Sequence, residues 1–182
     1  ERFVEDPRNA LFKHYLRFLD EFQPQSILFE NVPGILSLDD GAIFRKVMAE
    51  VAHHGYHLTA KILFAAHYGV PQERWRLIIL GSRRPPAPEA PYPTHYVEAR
   101  ANFRGGRTMT FRVLPIEKGR LFDAVTVADA LSDLPKLKMG EGDEVVRYTK
   151  SATSDYARKM RNGDKATFNH FAAVLAPQNR ER

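Results

Sequence analysis

The chain is 182 residues long, 43% hydrophobic and formally +5 in charge, which suits one globular domain, or one domain and part of another. It contains no cysteine, excluding disulfides, thiolate zinc sites and thiol nucleophiles within it. No apolar run reaches the length of a membrane span and no signal peptide is expected, while its positive charge permits a polyanionic partner without requiring one.

Asp6-Pro7 reads as a helix start, with aspartate as N-cap and proline in the first helical position. Leu11, Phe12, Tyr15, Leu16, Leu19 and Phe22 then recur at helical spacing up to Pro24. Ser26-Ile27-Leu28-Phe29 is a continuous apolar run, expected to be a parallel strand covered on both faces. Asp39 or Asp40 can cap a second helix bearing Ile43, Phe44, Val47, Met48 and Val51, closed by Gly55. Leu58 to Phe64 and Arg76 to Leu80 read as strands joined through Tyr68 to Gln72, a hairpin at the sheet edge. Alternating helices and strands predict an α/β layered sheet. Its first strand is expected to run parallel to neighbours outside this stretch, so half of a fold is expected to be missing.

Arg83-Arg84-Pro85-Pro86-Ala87-Pro88-Glu89-Ala90-Pro91-Tyr92-Pro93 reads as a stiff extended linker. Residues 1–84, 85–93 and 94–182 are therefore expected to be a first domain, a linker and a second, partial domain. Beyond the linker, Thr126 to Leu134 looks like a strand end entering a short helix, with Asp129 near its start. Gly140-Glu141-Gly142-Asp143 reads as a loop, and Asp155 to Met160 and Phe168 to Leu175 as helical pieces. Arginines cluster at 74, 76, 83, 84, 100, 104, 107 and 112; on charge alone this is a solvated basic face.

Two places carry chemistry. Glu30-Asn31 follows the first strand, and ligands of open α/β sheets bind outside the carboxyl ends of strands. A carboxylate buried there has its pKa raised and can be protonated near neutrality; the plain alternative is an acid that caps the next helix or pairs with an arginine. Asn31 suits a turn held by side-chain to backbone hydrogen bonds. Arg74 and Arg76 alternate on an extended segment and so share a face, with Trp75 on the other. Their guanidinium forks can meet a carbonyl, a phosphate or a carboxylate, although a charged edge strand is the plain reading.

Phe29-Glu30-Asn31-Val32-Pro33-Gly34 followed by Ala65 and Tyr68-Gly69-Val70-Pro71-Gln72-Glu73-Arg74-Trp75-Arg76 resembles the cytosine-C5 methyltransferase family, with its ENV and QxRxR motifs in this order. Asp6-Pro7-Arg8-Asn9-Ala10-Leu11-Phe12 and Thr126-Val127-Ala128-Asp129-Ala130-Leu131-Ser132-Asp133-Leu134-Pro135 are similar to further family segments, and Asn169-His170 and Asn179-Arg180 look like its recognition region. The resemblance implies part of a Rossmann-like S-adenosylmethionine-dependent sheet in residues 1–84, then an irregular α+β target-recognition segment in 94–182. It implies that a cysteine adds to C6 of a flipped cytosine in double-stranded DNA, with Glu30 stabilising the N3-protonated adduct and Arg76 holding O2. Arg74 would brace the catalytic loop or the DNA backbone, and Gln72 and Asn31 would shape the pocket. Leu11 would touch S-adenosylmethionine. Arg8 would lie near phosphates, and Arg104, Arg107 and Arg112 are candidate DNA contacts. No metal is implied.

Three elements of that family are absent from the sequence: the glycine-containing cofactor turn, the Pro-Cys loop and the C-terminal segment that returns to the sheet. The expectation is therefore a fragment, or a split enzyme completed by a second polypeptide. It would work in the cytoplasm at the nucleoid if prokaryotic, or in the nucleus if eukaryotic, and not in a membrane. A tRNA cytosine-C5 methyltransferase shares both pocket motifs, although its usual Cys-Phe-Thr motif is missing here. A non-catalytic DNA-binding or regulatory derivative of the fold is the third alternative.

Overall fold

In a computed structural model, residues 9–99, 101–105, 109–113 and 116–174 are described. The chain forms two compact units, Glu1–Tyr68 with Glu73–Asp123, and Gly69–Gln72 with Ala124–Arg182.

The first unit opens with helix α1 (Asn9–Phe22); the expected cap at Asp6-Pro7 lies outside the described residues. Phe12, Tyr15, Leu16 and Leu19 turn to the core, whereas Leu11, Phe18 and Phe22 are exposed. The predicted helical face is thus narrower than its apolar spacing. Strands β1 (Ser26–Asn31), β2 (His57–Phe64) and β3 (Trp75–Ser82) form one sheet in the order β1-β3-β2, with β3 antiparallel to both neighbours. The hairpin of the last two strands is as expected, but β3 lies in the middle of the sheet and not at its edge.

The expectation for β1 needs correction. It is not buried on both faces: its residues alternate in exposure, and Leu28 is 62% exposed. Ile27 and Phe29 turn toward α1, where Phe29 meets Phe12 and Tyr15 edge-on. Within the described residues β1 pairs only with β3, antiparallel, and its other edge is unpaired. A run of four apolar residues cannot by itself distinguish one covered face from two.

Helix α2 (Ala42–His53) closes the core, in which Leu36, Phe44, Val47, Ile62, Leu77 and Ile79 are buried together. Its start also corrects the sequence reading. Gly41, with φ 79°, is the N-cap, and neither Asp39 nor Asp40 caps the helix, both having left-handed backbone with φ 47° and 50°. The end is as expected: Gly55 follows the helix with φ 85°.

Residues 85–93 are not a free linker, and composition misplaces the boundary. Ala90 is buried, the Pro91 carbonyl accepts from the Tyr68 hydroxyl at 2.9 Å, and the Thr94 N–H donates to the His67 carbonyl at 2.9 Å. Strand β4 (His95–Tyr96) pairs in parallel with β7 (Phe122–Asp123). Between them β5 (Ala101–Gly105) and β6 (Met109–Val113) make an antiparallel ribbon. Phe103, Phe111 and Val113 of this ribbon pack on the core, with Phe111 edge-on to Phe44 at 5.6 Å. The first unit therefore runs to Asp123.

The second unit contains α3 (Val127–Leu131), β8 (Gly142–Arg147), α4 (Asp155–Arg161) and β9 (Ala166–Phe171). Thr126 and Asp129 form a reciprocal capping box on α3, as the early aspartate suggested. Ser154 caps α4 and also donates its hydroxyl to the Asp129 carbonyl at 2.6 Å, tying the two helices together. Asp133 is 2% exposed and accepts from Arg161 Nε at 2.6 Å. The same guanidinium donates to the Lys150 carbonyl and lies 3.6 Å over the Tyr148 ring. The helix expected at Phe168 to Leu175 is instead strand β9, through Phe171, paired antiparallel with β8. Gly142, expected in a loop, begins β8, where an added Cβ would strike the His170 carbonyl.

Candidate active site

The antiparallel register of β1 and β3 brings the two motifs together. Glu30 lies opposite Ile78, so Arg76, two residues earlier on β3, is its diagonal neighbour on the same face of the sheet. Arg76 Nε forms an ion pair with the Glu30 carboxylate. That Nε–H is buried and off the line of a hydrogen bond, so charge attraction holds the contact. Arg76 Nη1 donates to the Trp75 carbonyl at 2.8 Å, folding the guanidinium back on its own strand.

Burial differs from expectation. The Glu30 side chain is 49% exposed and that of Arg76 is 21% exposed. The carboxylate therefore stands at an open rim and not inside a dry cleft, because no described element covers the sheet face it shares with exposed Leu28. The pairing of Glu30 with an arginine, which the sequence left as the plain alternative, is present.

Asn31 performs the turn-holding role expected of it: its Oδ1 accepts the Val32 N–H at 2.8 Å. The chain then makes two 3-10 turns, Pro33–Leu36 and Leu38–Gly41, which sink Ile35 and Leu36 into the core beneath the rim. Arg74 is exposed just before β3, and its carbonyl accepts the Ala65 N–H at 2.8 Å, closing the connection from β2. Gln72 is exposed, with its backbone N–H bonded to the Val70 carbonyl, in the segment that clusters with the second unit. Leu11 is 65% exposed on α1 and so is not a core residue of the described structure. Arg104 and Arg112 fall on strands β5 and β6 at positions alternating with Phe103 and Phe111. Arg8 and Arg107 lie outside the described residues.

Trp75 turns inward as its alternation with the arginines required. It stacks on Phe64 at 4.2 Å and meets Phe103 at 5.6 Å. His67 is buried beside Phe64 and donates from Nε2 to the Val97 carbonyl at 3.0 Å. This anchoring role was not read from the sequence, since its partner lies 30 residues away and carries no signature. Burial pushes the Tyr68 phenol up from its ordinary pKa. A cavity of about 510 Å³ opens at the outer edge of β2 beside Lys61, Tyr68, Tyr92 and Phe111, and neither Glu30 nor Arg76 lines it. Among the described residues no group of His, Asp and Glu is placed to hold a metal, and no helix is long and apolar enough to cross a membrane.

The profile of the C-5 cytosine-specific DNA methylases matches residues 1–182. Type II methyltransferase M.AgeI of Thalassovita gelatinovora is 33% identical over 181 residues, which are 95% of this chain and 40% of that protein. DNA (cytosine-5)-methyltransferase 1A of Oryza sativa is 31% identical over 91% of this chain and 11% of its own length. The fold is like that of the crystal structure of an E. coli prophage-encoded DNA modification methyltransferase, with TM-score 0.59, 21% identity and coverage of 97% of this chain and 50% of the other. The chain spans about two fifths of the length of the bacterial relatives it matches over most of its own length.

Proposed function

Because the chain belongs to the C-5 cytosine-specific DNA methylase family, we propose that it supplies one wall of the site where a longer enzyme methylates cytosine C5 in double-stranded DNA. The observation that carries this reading is the Glu30–Arg76 pair on one sheet face. The Watson–Crick edge of cytosine presents O2, N3 and the N4 amino group side by side. A guanidinium donating to O2 and an adjacent carboxyl group, sharing a proton with N3 and accepting from N4, match that edge group by group. Drawing electrons toward N3 leaves C6 open to a nucleophile, which must come from a cysteine that this chain lacks. The open rim at Glu30 suits a base that has left the duplex and enters from solvent.

S-adenosylmethionine is the methyl donor this reading requires. The described residues fit it only at its fringe, where exposed Leu11 offers an apolar contact, and no polar set for its ribose and carboxylate is present among them. Arg8, Arg104, Arg107 and Arg112 are assigned to DNA phosphates, and Arg74, Asn31 and Gln72 to the shape of the pocket loops. The relatives named above are DNA enzymes, so the tRNA reading gains no support. The site belongs in the cytoplasm of a bacterium or the nucleus of a eukaryote. This chain alone should transfer no label from radiolabelled S-adenosylmethionine to DNA, whereas the longer protein should; C5 methylation by the isolated chain would overturn the assignment of one wall only.

A further inference from the structure

We propose that Phe103 is a positioning residue for the Glu30–Arg76 pair, acting through Trp75. The inference deepens the functional reading above and rests on it only for the catalytic consequence.

Arg76 is held at two points, the Glu30 carboxylate and the Trp75 carbonyl. Its aim therefore depends on where the Trp75 backbone lies. That backbone begins β3 opposite Phe64, and the indole is clasped by Phe64 on β2 and Phe103 on β5. Phe64 is Trp75's own cross-strand partner, so any chain with this hairpin would carry that contact. Phe103 comes from outside the sheet, and β5 also lies against both 3-10 turns that follow Glu30. One strand thus braces the residue before Arg76 and the loop after Glu30. Loss of the Phe103 ring would free the indole to tilt, carry the Trp75 carbonyl with it and release Arg76 from one anchor. The other ribbon aromatic, Phe111, packs on Phe44 of α2, so the two aromatics of one ribbon separate positioning from plain packing.

Trp75 is the only tryptophan and reports directly. In the 182-residue chain, Phe103→Ala should shift Trp75 emission to the red and move the Arg76 Nε–Hε NMR resonance toward that of free arginine. Phe103→Tyr should restore both, and Phe111→Leu should leave the Arg76 resonance in place. Should Phe103→Ala fail to fold, Phe103→Leu gives the same comparison. In the longer enzyme, Phe103→Ala should lower kcat roughly tenfold, a small misplacement of a reacting group, with KM for DNA and donor unchanged. An Arg76 resonance unmoved by Phe103 variants, or moved equally by Phe111→Leu, overturns the proposal and leaves Phe103 as packing. If Glu30→Gln leaves methylation intact while the resonance still follows Phe103, the functional reading fails and the positioning link stands.

Discussion

The two compact units are held together by different physics. The first is built around apolar side chains withdrawn from water, with Leu36 and Leu77 at 0% and Ile79 at 1% exposure. The second has few such residues and relies on polar pins: a buried Asp133–Arg161 pair, a cation over Tyr148, and helix caps linked by Ser154. Its hairpin leaves Val145 and Phe168, which face each other across the strands, 56% and 62% exposed. Apolar burial is non-directional and tolerates imperfect placement, whereas hydrogen-bonded pins demand it. The unit with the apolar core is the one that carries the candidate chemistry, while the pinned unit keeps apolar side chains exposed.

The sharpest test of that division of labour is chemical. In the longer enzyme Glu30→Gln should cut turnover by about a hundredfold, the scale of losing a group that handles a proton, and leave DNA affinity and the unfolding midpoint nearly unchanged. Equal losses of turnover and DNA binding would make Glu30 a structural cap. Next in size, Leu77→Ala should cost about 3–4 kcal/mol of stability, read by urea unfolding at Trp75. Its hydrogen exchange should quicken in the first unit alone. Asp133→Ala leaves Arg161 partly buried without its carboxylate and should cost about 3 kcal/mol, with faster exchange confined to α3, α4 and the adjoining hairpin. If either substitution loosens both units alike, the contrast between them dissolves.

Smallest is the cap. Thr126→Ala should weaken α3 by about 1 kcal/mol. The Thr126 hydroxyl and backbone N–H hold the Asp129 carboxyl below its ordinary pKa. Because the folded value is lowered, this contribution is complete above the pKa of an unfolded aspartate and is lost as pH falls through the folded value. Melting curves across the acid range should therefore converge for wild type and Asp129→Asn at low pH and separate as pH rises.

What the sequence disclosed tracks what is local. The helix at Ala42–His53, the two strands of the hairpin and the short helix begun near Asp129 each carry their own local pattern, and each is found. The match of motifs placed Glu30 and Arg76 in one site, and the register brings them together. The misses depend on distant partners. Leu28 is apolar yet exposed because no described element covers its face. Phe168 to Phe171 alternates poorly, with Asn169 at φ 52°, so its strand character comes only from pairing with β8. The chain after Pro85 joins the first unit because Phe103 and Phe111 find the core, which composition cannot reveal. Nor could it reveal that Glu30 stands at an open rim.

The edge of β1 that is unpaired among the described residues gives the isolated chain a colloidal character. A strand that offers its N–H and C=O groups to solvent, beside an exposed leucine, is a template for the same strand of another molecule. Dilute solutions should hold monomers and concentrated ones dimers joined through this strand. Sedimentation across a concentration series will register this as a rising mean mass, and a charge placed at Leu28 should suppress it without altering the fold.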